Sequence, residues 1–330
     1  MPRRWIDELK DGELVEEVYA VADRQVRANR QATLYLSLDL RDRTGTINAR
    51  LWNVSSQIGE QIQPGDYVWV RGKVQVYQGN LQLILTHLRP VAAESLNRED
   101  FEPQPTHDVE QLWNMLCNLL AQIQRPELQA LAHAVLDDPG LAQPLKLWPA
   151  GVKAHHNVRG GLLAHLVAMA QLVLKICEVY PRLDRDLLLC GVLFHDLGKL
   201  RELSYEPQFQ YTDEGQLVGH LVQGIELLAE KLRDLHTQGI VIPPALTAQL
   251  KHLIVSHHGS VEHGSPKLPM TPEALVLHLI DHLDAKLDEF YQALDGDPHP
   301  QASWTLYLPR LERKLYKGPQ RDAASSRETT

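Results

Sequence analysis

Along the first ninety residues apolar and polar positions alternate in twos, and beyond about residue 107 the apolar positions recur at threes and fours. Leu34, Leu36, Leu38 and Leu40 alternate with Tyr35, Ser37 and Asp39, the period of a half-buried strand. The same alternation runs through GELVEEVYAVADRQVR, DYVWVRGKVQVY and NLQLILTHLRPV, with turn residues at Arg43-Thr44-Gly45, Pro64-Gly65-Asp66 and Gln78-Gly79-Asn80. Five short strands in residues 1–92 predict a small antiparallel beta barrel of OB type.

Residues 93–106 are polar and proline-containing, and read as a linker in which Thr106 caps the helix that follows. Helical periods then cover Val109–Gln124, Pro126–Leu136, Gly161–Val179, Arg185–His195, Leu217–Leu235, Pro244–Ser256, Pro272–Leu294 and Pro309–Tyr316. The expected architecture is therefore multidomain, a barrel followed by an all-alpha bundle over 107–317 with its core at about 155–295. Residues 318–330 read as a disordered tail.

Composition sharpens this picture at three points. The net charge is −9, from 33 basic and 42 acidic residues, and the surplus acidity lies beyond the barrel, which excludes a uniformly basic surface. Cys117, Cys177 and Cys190 sit in leucine-rich segments without CxxC spacing and read as buried thiols. No uninterrupted apolar run of 18 residues occurs, and the N-terminus turns acidic before any hydrophobic stretch, so no membrane partner is expected and the cytoplasm is the default setting. Histidine is the unusual residue: 12 of 16 fall between His155 and His282.

The central chemical signal is His195-Asp196 at the end of LLLCGVLFHDLGK, where Gly198 is expected to let the chain turn. A helix should not end by burying adjacent ionisable groups unless they are paired or bind a metal. By itself the dipeptide is equally explained by a histidine compensating the helix dipole and a capping aspartate. His165 near the start of one apolar helix, His220 in VGHLVQG, His257-His258 closing LKHLIVSHHG, and Asp281 in LHLIDHLDAKLDEF add four more segments with the same property. Helical bundles commonly build nitrogen and oxygen metal sites in this way.

The ordered set WPAGVKAHHNVRGGLLAHLVAMA, LLLCGVLFHDLGKLREL, GHLVQG, LIVSHHG and DHLDAK resembles the HD-domain phosphohydrolases, and behind an OB-type domain it is similar to the YhaM-like 3'-to-5' exoribonucleases. The resemblance covers roughly Gly12 to Lys317. It implies a first metal site of His165, His195, Asp196 and Asp281, and a second supplied by His220, His257 and His258 with Asp196 bridging. His258 is slightly preferred over His257 as a direct ligand. Two divalent metals are implied, Mn2+ by family preference, with Fe, Co or Ni compatible with the ligand chemistry.

Such a site implies in-line attack of water on phosphorus at His195-Asp196, with Lys199 placed to contact phosphate. A solvated lysine at a helix end explains Lys199 equally well. Lys153, His156 and Arg159, before the GGLL helix, are candidates to grip a nucleic-acid backbone or to form a polar, capping loop. Arg310 and Arg313 recur at helical spacing, as either a substrate path or a charged outer face. In the barrel, alternation puts Tyr67, Trp69 and Arg71 on the outer face and Val68 and Val70 inside, while Trp52 fits either place. The implied activity is metal-dependent 3'-to-5' hydrolysis of single-stranded RNA, with single-stranded DNA as a second substrate and a homo-oligomer as an expected assembly. The alternative is an HD nucleotide or cyclic-nucleotide phosphohydrolase whose barrel regulates or oligomerises; no GYP tripeptide follows the HD segment, which counts against its cyclic-dinucleotide form.

Overall fold

The computed structural model describes residues 3–28, 34–52, 62–77, 80–101, 108–151, 158–204, 210–297 and 301–319. The chain divides into two compact units, Met1–Gln104 with Phe290–Thr330, and Pro105–Glu289.

In the first unit, strands β1 (Leu14–Ala28), β2 (Leu34–Asp42), β3 (Gly45–Trp52), β4 (Tyr67–Tyr77) and β5 (Asn80–Val91) close into a barrel in the order β1-β2-β3-β5-β4. All neighbours run antiparallel except β3 and β5. The period of two decides what fills the interior: Leu36, Leu38 and Leu40 of β2 and Val68 and Val70 of β4 are buried with Val15, Tyr19 and Leu83. Leu34, at the open end of its strand, is exposed. Curvature comes from register shifts at Val21/Asp23 and Arg71/Gly72. A Cβ at Gly72 would lie 2.5 Å from the Ile84 carbonyl oxygen, so only glycine fits that corner.

The helix expected over Pro309–Tyr316 is instead a bridged turn, with Trp304 opposite Tyr316 and Leu308 opposite Arg313. Leu311 and Leu315 are both buried, and their spacing of four imitated a helical period. Glu312 takes a left-handed φ of 54°, and the Thr305 hydroxyl accepts from the Leu315 amide, closing the turn from the side.

The second unit is helical: α1 (Val109–Leu120), α2 (Pro126–Leu136), α3 (Pro139–Leu147), α4 (Gly161–Val179), α5 (Arg185–His195), the single turn α6 (Lys199–Glu202), α7 (Asp213–Val218), α8 (His220–Thr237), α9 (Pro244–Ser256) and α10 (Pro272–Asp295) as far as Glu289. A two-stranded hairpin, β6 (Leu203–Ser204) with β7 (Gln210–Tyr211), interrupts them. Asp108 caps α1 by accepting from the Glu110 and Gln111 amides, whereas the expected cap Thr106 lies outside the described residues. Gly219, at φ 78°, divides the predicted Leu217–Leu235 helix into α7 and α8. By length and composition α4 is apolar enough to cross a membrane, yet Leu162, Leu163, Leu166, Met169 and Val173 are buried in the bundle's core, where it packs on α1 and α5.

Candidate metal centre

Five helix ends or faces converge in the second unit. α4 delivers His165 from its first turns, α5 ends at His195 with Asp196 as its C-terminal cap, α8 begins at His220, α9 runs out into His257 and His258, and α10 carries Asp281 and Asp284. Gly198 makes the convergence possible, though not by turning as expected: its φ of −60° suits any residue. A Cβ there would meet the His220 carbonyl oxygen at 2.0 Å and the Gly224 amide nitrogen at 2.6 Å, so the missing side chain is what lets α8 approach the HD turn.

Two groups of nitrogens and oxygens result. His165 Nε2 lies 3.3 Å from His195 Nε2 and 3.3 Å from Asp281 Oδ1. His220 Nε2 lies 3.2 Å from His258 Nε2, with His257 in the same group. Asp196 stands between them. Its Oδ2 is 3.4 Å from His195 Nε2, and its Oδ1 is 3.6 Å from His257 Nε2 and 3.7 Å from His220 Nε2.

The opposite ring nitrogens explain why the Nε2 atoms face inward. His195 Nδ1 donates to the Val192 carbonyl and His257 Nδ1 to the Ile254 carbonyl, each at 2.8 Å. His165 Nδ1 donates to Asp284 Oδ2 at 2.6 Å and His220 Nδ1 to Glu202 Oε1 at 3.0 Å. A proton on Nδ1 held in this way turns Nε2 toward the centre, the orientation a metal-ligating histidine needs.

The electrostatics agree. Burial pushes the Asp196 carboxyl up, but Lys199 and His195 outweigh it and hold it well below the usual carboxylate range. Burial likewise opposes ionisation of Asp281, and His165 and His257 overcome it. His257 is driven well below the ordinary imidazole value by burial and by His195, and His258 is lowered by burial and His220, so both rings are neutral at pH 7 and could offer a lone pair to a cation. Burial pulls His165 down, whereas hydrogen bonds to Asp281 and Asp284 raise it to about 9. That proton occupies the place of a cation, and metal binding would expel it. Asp196 Oδ1 and His258 Nδ1 are buried without a hydrogen-bond partner. A buried carboxylate oxygen facing imidazole nitrogens fits a divalent cation, and these residues therefore suit the metal.

Residues 162–286, which contain every one of these groups, match the HD domain family, and residues 20–91 match the OB-fold nucleic acid binding domain. The chain is 38% identical over 268 residues to the 3'-5' exoribonuclease YhaM of Bacillus pumilus, spanning 79% of this chain and 81% of that protein. It is 37% identical over 265 residues to the YhaM of Bacillus subtilis, and 35% identical over 291 residues to that of Shouchella clausii, covering 88% of each chain. The chain belongs to the YhaM 3'-5' exoribonuclease family. Its HD domain implies divalent-metal binding, and its barrel a nucleic-acid partner.

The other residues singled out in this YhaM family member fall in varied places. Lys199 Nζ donates to Asp196 Oδ2 at 2.6 Å and is mostly buried. Lys153 and His156 lie outside the described residues, and Arg159 is half-buried just before α4. Arg310 and Arg313 lie in the first unit's bridged turn, where Arg313 Nε donates to the Leu311 carbonyl. On the barrel, the Tyr67 ring packs edge-on against Phe101 at 4.7 Å, the Arg89 guanidinium covers Trp69, and Arg71 pairs with Glu16. The more open aromatic surface is on β2 and β3: Tyr35 and Trp52 lie 4.8 Å apart, with Arg50 near the rings of Tyr35 and Tyr77. Trp52 is 41% exposed and Tyr77 46%.

Glu202, which fixes His220, had no signal beyond an acidic residue in an apolar segment. Gln223, one turn along α8 from His220, is fully buried with neither amide atom hydrogen-bonded. His278 was hidden among the many histidines; its Nδ1 donates to the His257 carbonyl at 2.8 Å.

Proposed function

We propose that this chain is a metal-dependent exoribonuclease that removes nucleotides from the 3' end of single-stranded RNA. The observation that carries the reading is the division of Asp196, with one oxygen toward His165 and His195 and the other toward His220 and His257. That division supports two metal sites that share Asp196, the first of which His165, His195 and Asp281 would also hold, and the second His220, His257 and His258. Histidine and carboxylate ligands suit Mn2+, which we assign by family, and also Fe, Co or Ni.

When bound, the metals supply Lewis-acid stabilisation of phosphoryl oxygens and a water of lowered pKa. The protein's residues do the rest. Asp284 and Glu202 orient His165 and His220. Burial pulls the Lys199 ammonium down, but Asp196 outweighs burial, and it stays charged to meet a phosphate oxygen. Hydrolysis adds water across the P–O3' bond: the nucleotide leaves with its 5'-phosphate, and the shortened strand keeps a protonated 3'-oxygen. Tyr35, Trp52 and Tyr77 supply stacking faces and Arg50 a phosphate contact, a surface tolerant of sequence and able to take DNA as well as RNA. The free cysteines support a cytoplasmic setting.

The test is product analysis over time with Mn2+, 5'-labelled single-stranded RNA, matched DNA and a nucleotide panel, with Asp196→Ala as control. A descending RNA ladder with released 5'-nucleotides is expected, slowed on the order of 10^3-fold in Asp196→Ala while strand binding persists. Undiminished hydrolysis by the variant would remove Asp196 from the site. Intact strands with metal-dependent nucleotide hydrolysis would transfer the chain to the HD nucleotide phosphohydrolases.

A further inference from the structure

A cavity of about 280 Å3 opens beside the metal centre, between α10 and the turn after α9. Metal-site residues form one wall, and His263, His278, His282, Ala285 and Lys286 form the other. The far wall is fixed before any ligand arrives. His278 is tied to the His257 carbonyl, and a Cβ at Gly259, whose φ is +82°, would meet the His278 ring at 2.1 Å. The HHG turn and α10 are thus locked at a distance that only glycine permits.

The chemistry of this wall is specific. It has no carboxylate of its own, three imidazoles, two of them on successive turns of α10 with ring centres 6.2 Å apart, and one ammonium. Imidazole faces stack on bases, and ammonium groups meet phosphates. Lys286 pairs with Glu289 at 2.7 Å, but it is 48% exposed, and such a pair exchanges easily for a phosphate oxygen. The volume lies just below the ~300–1,000 Å3 range of small-molecule pockets, which suits one nucleotide and not a continuing strand.

We propose that this cavity receives the 3'-terminal nucleotide, with its 5'-phosphate between the metal centre and Lys286 and its base against His278 and His282, so that the cavity's size sets a one-nucleotide step. The inference rests on the exonuclease reading above. Its test uses the Mn2+-loaded full chain and two readouts. In calorimetry, adenosine 5'-monophosphate binds the wild type, and Lys286→Ala and the cavity-filling Ala285→Trp each weaken it about tenfold or more, with manganese content measured alongside. In kinetics, the ratio of the rate on single-stranded RNA to that on bis(p-nitrophenyl) phosphate falls about tenfold or more in Ala285→Trp. If that variant loses manganese, His282→Ala takes its place in both readouts. No binding of the nucleotide to the wild type, or wild-type affinity and rate ratio in the variants, overturns the pocket. Nucleotide binding with the expected dependence on Lys286 but intact RNA would instead leave the pocket standing and remove the exonuclease reading.

Discussion

Asp42 in the barrel unit and Asp196 in the helical unit are buried almost equally, at 0% and 2% exposure, yet their oxygens meet opposite surroundings. Asp42 Oδ1 accepts from the Thr44 amide at 2.8 Å, the Thr44 hydroxyl at 2.6 Å and the Gly45 amide at 3.2 Å, while Oδ2 accepts from the Ile6 amide at 2.7 Å. Its acceptor capacity is used by the β2–β3 turn and by the 3-10 turn Ile6–Glu8. Asp196 has Lys199 on one oxygen with His195 Nε2 at 3.4 Å, and on the other no donor, only the His257 and His220 imidazole nitrogens at 3.6 and 3.7 Å. Burial alone does not mark a functional carboxylate. The distinction lies in whether the fold itself completes the charge.

The largest break of this comparison is Asp196→Ala, which should remove bound manganese along with the ~10^3-fold of rate, both read on one preparation by metal analysis and RNA cleavage. Asp42→Ala should do the reverse. It leaves the Ile6, Thr44 and Gly45 amides without their acceptor and should destabilise the barrel by about 3 kcal/mol, seen as a lower denaturant midpoint with manganese content unchanged. Loss of metal from the Asp42 variant would show that the two carboxylates are not separable by their surroundings.

Glu202→Gln sharpens the comparison within the helical unit. Glu202 Oε1 accepts from both the backbone amide and Nδ1 of His220, each at 3.0 Å, and burial, which opposes its ionisation, is outweighed by these contacts. Glutamine keeps an acceptor oxygen but not the charge that would strengthen His220 as a ligand. Manganese affinity of the second group should fall about 10- to 100-fold in a metal titration. An affinity within twofold of wild type would reduce Glu202 to packing. On the barrel, Trp52→Ala should weaken single-strand binding by about 1–3 kcal/mol in an anisotropy titration and leave manganese affinity intact. Unchanged strand binding would direct attention back to Trp69, from which Arg89 would have to move.

Strong periodicity was legible in the chain, and so were the ends of elements with clear caps. Gly161–Val179, Arg185–His195 and Pro244–Ser256 form helices over the expected residues, and the five strands form where alternation was sustained. α3 was hidden because it is short and carries Pro144 in its interior, a residue that argues against a helix. Its first turn tolerates Pro139, and buried Leu141, Ala142 and Leu145 stabilise it from outside. The Pro309–Tyr316 segment failed in the other direction, since two apolar residues four apart describe a turn as well as a helix. At the metal centre, residue chemistry picked out the seven groups that the fold brings together. Two residues that hold them, Glu202 and His278, were not visible, because Glu202 reaches His220 across 18 positions and His278 reaches His257 across 21. Such contacts depend on how α6, α8, α9 and α10 pack, and one chain's periodicity does not report that.

Asp138 supplies a third kind of carboxylate and the smallest expected effect. At the start of α3 its Oδ1 accepts from the Gly140 amide at 2.8 Å and its Oδ2 from Lys231 Nζ at 2.6 Å, with about a third of the side chain exposed. Asp138→Asn keeps a capping oxygen, since asparagine caps as well as aspartate, and removes only the charge. An ion pair so open to solvent should be worth about 0.5 kcal/mol. The Lys231 hydrogen bond, the largest influence, lowers the Asp138 carboxyl below its ordinary value in the folded protein. Its contribution is therefore fully present above the unfolded carboxylate value of about 3.9 and is lost as pH falls through the folded value. The stability difference between wild type and variant should be complete at pH 7, shrink below about pH 4, and diminish with added salt at neutral pH. A difference that persists unchanged in acid would mean that Asp138 acts through its capping oxygen, as Asp42 does, and that its charge contributes nothing.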